Sequence, residues 1–450
     1  MSAMPSLEER LRRGSYRVET WGWQMNVLDG ERMAGKLRGL GLTQAADGGG
    51  ADVVILNTCS VREKADSKVY SALGVLAEKK RENPDLVIGV AGCLAQVSGD
   101  EILERAPWVD FVVGTGNVER VGQIVEDVRR ERRQVAELTW PPESPAYQFR
   151  QISRGSAFQA YVTVIEGCDQ FCTFCIVPFT RGRERSRRGS EILEEAAWLV
   201  GQGYTEITLL GQTVNAYRDP ETGSGLGWLL ASVAGVPGLR RVRFLTSHPI
   251  FMDDSLIATL AAGGNIAPYL HLPAQSGSDR VLYRMKRRYD REDYLETIER
   301  VRRSAPGIAL SSDFIVGFPG ETEEDFEATL DLLRQVGFAN VFAFIYSPRP
   351  GTASARWGSE KSIAAEVASA RLQRLLSLQA EIQAEMNRGL VGSVFEVLVE
   401  GRDRQGQDRG RTACNRIVHI QGARSIRAGD YVPVRIVRGL PNSLQGEPAG

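Results

Sequence analysis

The chain has 450 residues, 42% of them hydrophobic and 25% charged, with a net charge of −1. That length is too great for one hydrophobic core and predicts about three domains. The near-zero charge excludes a protein that grips nucleic acid through a global positive field, leaving local basic patches as the route.

The opening thirteen residues hold no apolar core of the kind a signal peptide needs. No apolar run approaches the about 18 residues of a membrane span. Six cysteines are too sparse for a secreted disulfide scaffold, and their clustering points to metal in a reducing compartment, so a cytoplasmic location with no membrane partner is expected.

From residue 16 to about residue 130, strand-like and helix-like segments alternate. Strands are expected at 16–20, 51–56, 86–91 and 110–113, with helical periodicity after each, as over 62–80. That rhythm predicts an open parallel α/β sheet. Cys59 and Cys93 fall just past the carboxyl ends of two expected strands, where open α/β sheets gather ligand sites. By position alone they are either ligands or simply buried thiols. A charged helix end at 129–134 and three prolines within 141–145 read as a linker.

A second alternation begins at Ala160. Strands are expected at 161–165, 206–210, 241–245, 269–272, 309–316 and 341–346, with helices at 190–202, 253–262, 291–304 and 322–336. Ser190, followed by Glu191 and Glu194, has the chemistry of a capped helix start. Six such units suit a parallel barrel or part of one, in which loops at the strand carboxyl ends carry the chemistry.

The loop after the first of these strands reads Glu166-Gly-Cys168-Asp-Gln-Phe-Cys172-Thr-Phe-Cys175-Ile-Val-Pro178. Three thiolates in this C-x3-C-x2-C spacing can hold three irons of a 4Fe–4S cube, and no fourth local cysteine closes the set. The open iron invites a chelating ligand, a role the amino and carboxylate groups of S-adenosylmethionine can fill. Thiolates favour iron–sulfur clusters, zinc and copper(I), and complete clusters are normally held by four cysteines. A zinc knuckle or inert buried thiols are the alternatives.

Five arginines, Arg181, Arg183, Arg185, Arg187 and Arg188, follow that loop. They read either as a solvated charged turn or, beside the site, as contacts to RNA phosphates. Gly317-Phe-Pro-Gly-Glu-Thr322 follows a strand and opens a helix, so its amides are placed to face a ligand. His248 and His271 each end an expected strand and either line the barrel mouth or are packed. A long helix over 362–388 leads to short alternating strands at 394–400, 416–420 and 431–438, a pattern expected of a small β-barrel. Residues 388–450 hold ten arginines, no lysine and six acids, giving a net +4 and either an RNA-binding module or an arginine-rich solvated surface.

Several runs carry a resemblance to a known family. Trp21-Gly-Trp-Gln-Met-Asn26, Asn57-Thr-Cys-Ser-Val-Arg-Glu-Lys-Ala65, the cysteine–arginine run 167–186 and Ile315-Val-Gly-Phe-Pro-Gly-Glu-Thr322 resemble the radical S-adenosylmethionine methylthiotransferases. The closest likeness is to the branch that acts on isopentenylated adenosine in tRNA. The resemblance extends from about Tyr16 to Val437, through Leu210-Gly-Gln-Thr-Val-Asn215, Thr246-Ser-His-Pro249 and 344–352.

It implies an amino-terminal α/β domain at 14–130, a linker at 131–153, a partial TIM-type radical-SAM (β/α) barrel at 154–386 and a carboxyl-terminal TRAM β-barrel at 387–450. It implies that the cluster on Cys168, Cys172 and Cys175 cleaves S-adenosylmethionine. The resulting radical takes hydrogen from carbon 2 of N6-isopentenyladenosine at tRNA position 37, and a second S-adenosylmethionine donates the methyl group. With the cofactor would go Gly211, Gln212, Gly317, Pro319, Gly320 and Glu321. A second, auxiliary 4Fe–4S cluster in the amino-terminal domain would take part in sulfur insertion, with Cys59 and Cys93 among its ligands. The partners implied are tRNA, a reductant such as a flavodoxin-type protein, and a sulfur donor that the sequence does not name.

One position departs from the family. Its motif reads Trp-Gly-Cys-Gln-Met-Asn, and this chain has Trp23 at the cysteine. Residues 1–150 contain no histidine and no cysteine besides Cys59 and Cys93, and the one spare thiol is Cys414. Ligation of the auxiliary cluster is therefore expected to be incomplete. Two other readings follow: a methylthiotransferase for threonylcarbamoyl-adenosine tRNA or a ribosomal protein, against which the run Ser60–Ala65 argues, and a tRNA-binding radical protein without sulfur insertion.

Overall fold

The computed structural model describes residues 14–46, 49–59, 63–141, 147–358, 361–422 and 426–449. The first thirteen residues, Pro142 and Pro145 of the expected linker and Ser60–Arg62 of the family run lie outside the described residues. The chain forms two compact units: residues 1–156 with 167–169 and 176–183, and residues 157–166, 170–175 and 184–450.

The first unit holds a six-stranded sheet, parallel throughout, in the order Thr43–Gln44, Ser15–Trp21, Val53–Thr58, Val87–Gly92, Phe111–Val113, Val135–Glu137. Val53–Thr58 and Val87–Gly92 are buried along their whole length, as strands covered by helices on both faces must be. Apolar clusters around Met33, Leu37 and Phe111 on one side and Val69, Leu73 and Ile102 on the other fill those faces. Val135–Glu137 lies within the stretch read as linker; three residues are too few for a periodicity to register.

In the second unit the six expected strands all form: Gln159–Thr163, Glu206–Leu210, Arg241–Phe244, Tyr269–His271, Ala309–Val316 and Asn340–Ile345. They make two three-stranded parallel sheets joined by an isolated parallel bridge between Val242 and Ile266. The result is an arc of six strands in chain order, and among the described residues no ladder joins the first to the last. The helices Gly189–Gly201, Asp254–Ala262, Arg291–Ser304 and Glu323–Val336 follow the expected periodicity. Asp290 with Asp293, and Thr322 with Asp325, close reciprocal capping boxes. Ser190 does not cap its helix: the chain turns helical at Gly189 after Arg188, and Ser190 Oγ instead meets Glu221 at 3.2 Å.

The helix Ala365–Arg388 leads to a closed five-stranded barrel. Alternate residues Val397 and Val399, Val418 and Ile420, Val434 and Ile436 fill its centre. The strands Asp408–Thr412 and Leu444–Pro448, unforeseen from sequence, complete the closure. This barrel is seated on the amino-terminal ends of the parallel strands. Buried Glu206 pairs with Arg241 at 3.1 Å and Arg243 at 3.2 Å, and Arg243 reaches Asn415 at 3.2 Å. Arg240 lies 3.8 Å over the Tyr431 ring and pairs with Glu396 at 2.8 Å. Cys414 packs there with Tyr269, Ala309 and Met386, so the spare thiol is a packing residue. Among the described residues no helix is long and apolar enough to cross a membrane.

Candidate active site

The three-cysteine loop leaves the carboxyl end of Gln159–Thr163 through Ile165–Glu166, which pairs antiparallel with Arg185–Ser186 and so closes the loop at its base. Gly167 has φ +81, and a Cβ there would run into the carbonyl of Arg183. Phe171 also takes a left-handed φ of 48, a strained conformation for a non-glycine residue. The Cys175 amide donates to the Cys172 carbonyl at 3.0 Å, and the Cys168 amide to that of Gly182 at 3.1 Å. Thr173 is fixed on both sides. Its Oγ1 donates to the Arg284 carbonyl at 2.9 Å, and its own carbonyl accepts from the Ser354 amide and hydroxyl, each at 2.9 Å.

The donor chemistry of this loop fits a 4Fe–4S group. None of the three is in a disulfide; Cys168 and Cys172 are buried and Cys175 is partly so. The buried guanidinium of Arg287 donates to Cys172 Sγ at 3.5 Å and to the Pro273 carbonyl at 3.0 Å, and its Nε donates to the Tyr289 hydroxyl at 3.0 Å. Among the described residues no three His, Cys, Asp or Glu side chains gather as they would around one ion; thiolates that each serve a different iron need not converge on a point.

Around the carboxyl ends of the strands stand two further non-glycine residues with left-handed backbones, Thr246 at φ 68 and Gln275 at φ 73. Such strain collects at functional sites. The side chain of Asn215 bonds both backbone groups of His248, accepting from its amide at 2.8 Å and donating to its carbonyl at 2.9 Å. The His248 ring is buried, and burial together with Arg287 and Arg288 pulls its pKa down to about 2. It is therefore neutral, with Nδ1 accepting from the Ile250 amide at 3.4 Å. His271 is packed in its strand, 2.8 Å from Ser311 Oγ.

The glycine-rich turn differs from expectation. Its amides are already used: that of Gly317 donates to Glu321 Oε2 at 2.7 Å and that of Gly320 to the Lys361 carbonyl at 2.7 Å. Glu321 is buried against Arg371 at 2.8 Å, and burial pushes its carboxyl up despite that partner and Gly317. A Cβ on Gly317 would lie 2.8 Å from that of Ala368, so this glycine admits the long helix. The Pro319 carbonyl accepts from Arg284 at 2.8 Å. Gly211 is buried tightly under Ile165, and Gln212 beside it is half-buried.

Of the five arginines, two are corrected from surface to interior. Arg181 is 6% exposed and paired with Asp29 at 2.7 Å; Arg187 is 9% exposed and paired with Glu195 at 2.8 Å. Arg183 meets Asp169 at 2.9 Å, Arg185 Glu166 at 3.8 Å and Arg188 Glu221 at 3.6 Å, all more exposed. Arg287 carries no local sequence signal for its place at the loop, because Cys172 and Pro273, which it bonds, lie far from it in the chain; the left-handed backbone of Gln275 is likewise set by Asp313 and Ile315 of another strand.

In the first unit Cys59 and Cys93 are buried and follow the paired residues Thr58 and Gly92 on neighbouring strands. Trp23 lies two residues beyond Trp21, itself in register with Thr58. The three positions thus exit side by side, and the gap between the first and third strands in chain order is the topological switch point where such sheets bind ligands. Asn57 Nδ2 locks this edge to the Asn26 carbonyl at 2.7 Å. The donor set is two thiolates and an indole, which has no lone pair to give a metal. It does not fit a cluster that needs three protein thiolates.

Residues 162–333 match the Radical SAM superfamily, residues 15–114 an uncharacterized protein family, UPF0004, and residues 388–449 the TRAM domain. The chain is 49% identical over 438 residues to a tRNA-2-methylthio-N(6)-dimethylallyladenosine synthase of Cereibacter sphaeroides, covering 96% of this chain and 98% of that one. A protein of the same name from Carboxydothermus hydrogenoformans is 43% identical over 437 residues, with coverage of 96% and 98%. Among solved structures, the radical S-adenosylmethionine methyltransferase TsrM from Kitasatospora setae, with cobalamin and a 4Fe–4S cluster bound, matches with TM-score 0.56 at 16% identity over 76% of each chain. The cobalamin-dependent radical enzyme OxsB matches with TM-score 0.51 at 14% identity, over 82% of this chain and 57% of that one. At those identities the structural likeness speaks for the fold alone.

Proposed function

This chain belongs to the tRNA-2-methylthio-N6-dimethylallyladenosine synthases of the Radical SAM superfamily, and from that premise we propose that it methylthiolates carbon 2 of the isopentenylated adenosine beside the anticodon of tRNA. The observation that carries this reading is the near full-length 49% identity in a chain whose cysteine loop leaves the carboxyl end of the first barrel strand. The readings as a threonylcarbamoyl-adenosine or ribosomal-protein enzyme have no observation in their favour.

When bound, the 4Fe–4S cluster supplies an electron to S-adenosylmethionine and so the radical that takes the hydrogen. Cys168, Cys172 and Cys175 would hold it, with Arg287 fixing the Cys172 sulfur. Gly211 and Gln212 would lie along the cofactor, and Gly317, Pro319, Gly320 and Glu321 would support that wall by shaping the turn and seating the long helix. Neutral His248, held by Asn215, offers a hydrogen bond to a ligand without adding charge. An external one-electron donor of flavodoxin type would deliver the electron. In the first unit Cys59 and Cys93 would hold any second cluster, and the two-thiolate set supports partial assembly only. The domain limits that go with this reading are 14–130, 154–386 and 387–450, with a connecting segment at 131–153.

The test is the nucleoside content of tRNA from a strain deleted for the gene and complemented with the wild type or Cys172→Ala. The wild type should restore the 2-methylthio nucleoside. Cys172→Ala should leave the isopentenylated precursor and form no 5′-deoxyadenosine in vitro. Failure of the wild type to restore the product would overturn the reading.

A further inference from the structure

We propose that Tyr283, Lys286 and Arg288 form a contact surface for the single-stranded loop of the RNA substrate, Tyr283 stacking on a base and the two cations meeting phosphates. The proposal rests on the tRNA reading above. It starts from the charge balance beside the cysteine loop. Each of the five arginines at 181–188 is paired with a carboxylate, and a paired cation offers a phosphate less than a free one. Lys286 and Arg288 are exposed, and among the described residues neither enters an ion pair.

The backbone holds them outward. Lys286 and Arg288 take left-handed φ angles of 62 and 57, which non-glycine residues rarely adopt. Between and after them the chain turns inward: Arg287 reaches Cys172 Sγ, and the Tyr289 hydroxyl donates to the Ala274 carbonyl at 2.8 Å. The outward cations are thus one residue away from a side chain that touches the cysteine loop. Tyr283 sits on the helix Asp279–Met285, whose last residues bond Thr173 of that loop. At 87% exposure it is the most exposed large hydrophobic side chain among the described residues. The nearby acids are committed to other partners. Asp279 accepts from the Arg291 amide at 2.7 Å, Asp290 and Asp293 cap the next helix, and Asp325 pairs with Arg280. An exposed aromatic beside uncompensated cations is the surface single-stranded RNA recognises.

The probe is a synthetic anticodon stem–loop carrying isopentenyladenosine, with binding to the anaerobic holoenzyme followed by fluorescence anisotropy across a salt titration. Tyr283→Ala should weaken binding about tenfold with the salt slope kept, and Tyr283→Phe should restore it. Lys286→Ala with Arg288→Ala should flatten the log–log salt slope by about 1 to 2. Iron content at the wild-type level in these variants would assign the loss to the surface rather than to the cysteine loop. Wild-type affinity and slope in every variant would overturn the surface while leaving the tRNA reading intact. A wild-type enzyme that neither binds the stem–loop nor forms the methylthio nucleoside would overturn both.

Discussion

Trp23 opens the helix Gln24–Gly39 at the sheet edge that also carries Cys59 and Cys93. Because indole cannot replace a thiolate as a ligand, the native protein should carry about four irons per chain, one cluster's worth. Trp23→Cys should raise both the iron count and the yield of methylthio nucleoside. Two full clusters in the native protein by Mössbauer spectroscopy would refute this. His248 gives a second prediction. Its folded pKa of about 2 lies below the unfolded value of about 6.5, so below pH 6.5 the unfolded chain takes up a proton that the folded one refuses. Stability is whole above about pH 6.5 and falls by about 1.4 kcal/mol per unit as the pH drops toward 2. His248→Asn should reduce the stability lost between pH 7.5 and 5.5 by about 1.4 kcal/mol, measured by denaturant unfolding at both pH values. At this scale the cysteines were legible in the sequence because their spacing is local, while Arg287 was not, since the sulfur it meets is more than a hundred residues away (115).

Among the elements, period and caps decided what could be foreseen. The strands of the arc and the helices with Asp290 and Thr322 at their starts announce themselves through local chemistry. Val135–Glu137 and Asp408–Thr412 do not, being short or polar and specified by the strands beside them. The glycine-rich turn was visible as a motif, but its role was not. Its amides serve Glu321 and Lys361, and its open side admits the helix Ala365–Arg388. Arg371 anchors that helix by bonding the Glu321 carboxylate at 2.8 Å and its carbonyl at 3.2 Å. Arg371→Met leaves a buried carboxylate without its charged partner, held by the Gly317 amide, and should cost about 3–5 kcal/mol, read as a lower unfolding midpoint. Adding Glu321→Gln should recover part of the loss. Equal midpoints for the wild type and Arg371→Met would show that the turn is held by other means.

For the molecule as a whole, three regions were legible from alternation and composition, yet the carboxyl-terminal barrel is more than an appended module. Removing it would strip Arg243 of Asn415 and Arg240 of Tyr431 and Glu396, so a truncation would damage the parallel strands as well. Surface substitution is the cleaner probe. Arg435 and Arg438 are exposed on its strand Tyr431–Gly439. Replacing both with alanine should lower tRNA affinity and flatten its salt slope by about 1 to 2. An unaltered slope would assign the barrel another role.

The seating of that barrel on the amino-terminal strand ends sets a length scale. The cysteine loop leaves from the opposite ends, and the strands between are three to eight residues long. At about 3.3 Å per residue, the two ends stand roughly 10–26 Å apart. A free nucleoside cannot touch both, and a limp strand of a few nucleotides would lose much conformational freedom in doing so. A base-paired stem keeps such a span without help. If the salt titration places phosphates on the barrel, the two ends together would act as a caliper, selecting substrates by whether one rigid body can carry a target base to one jaw while its phosphates rest on the other.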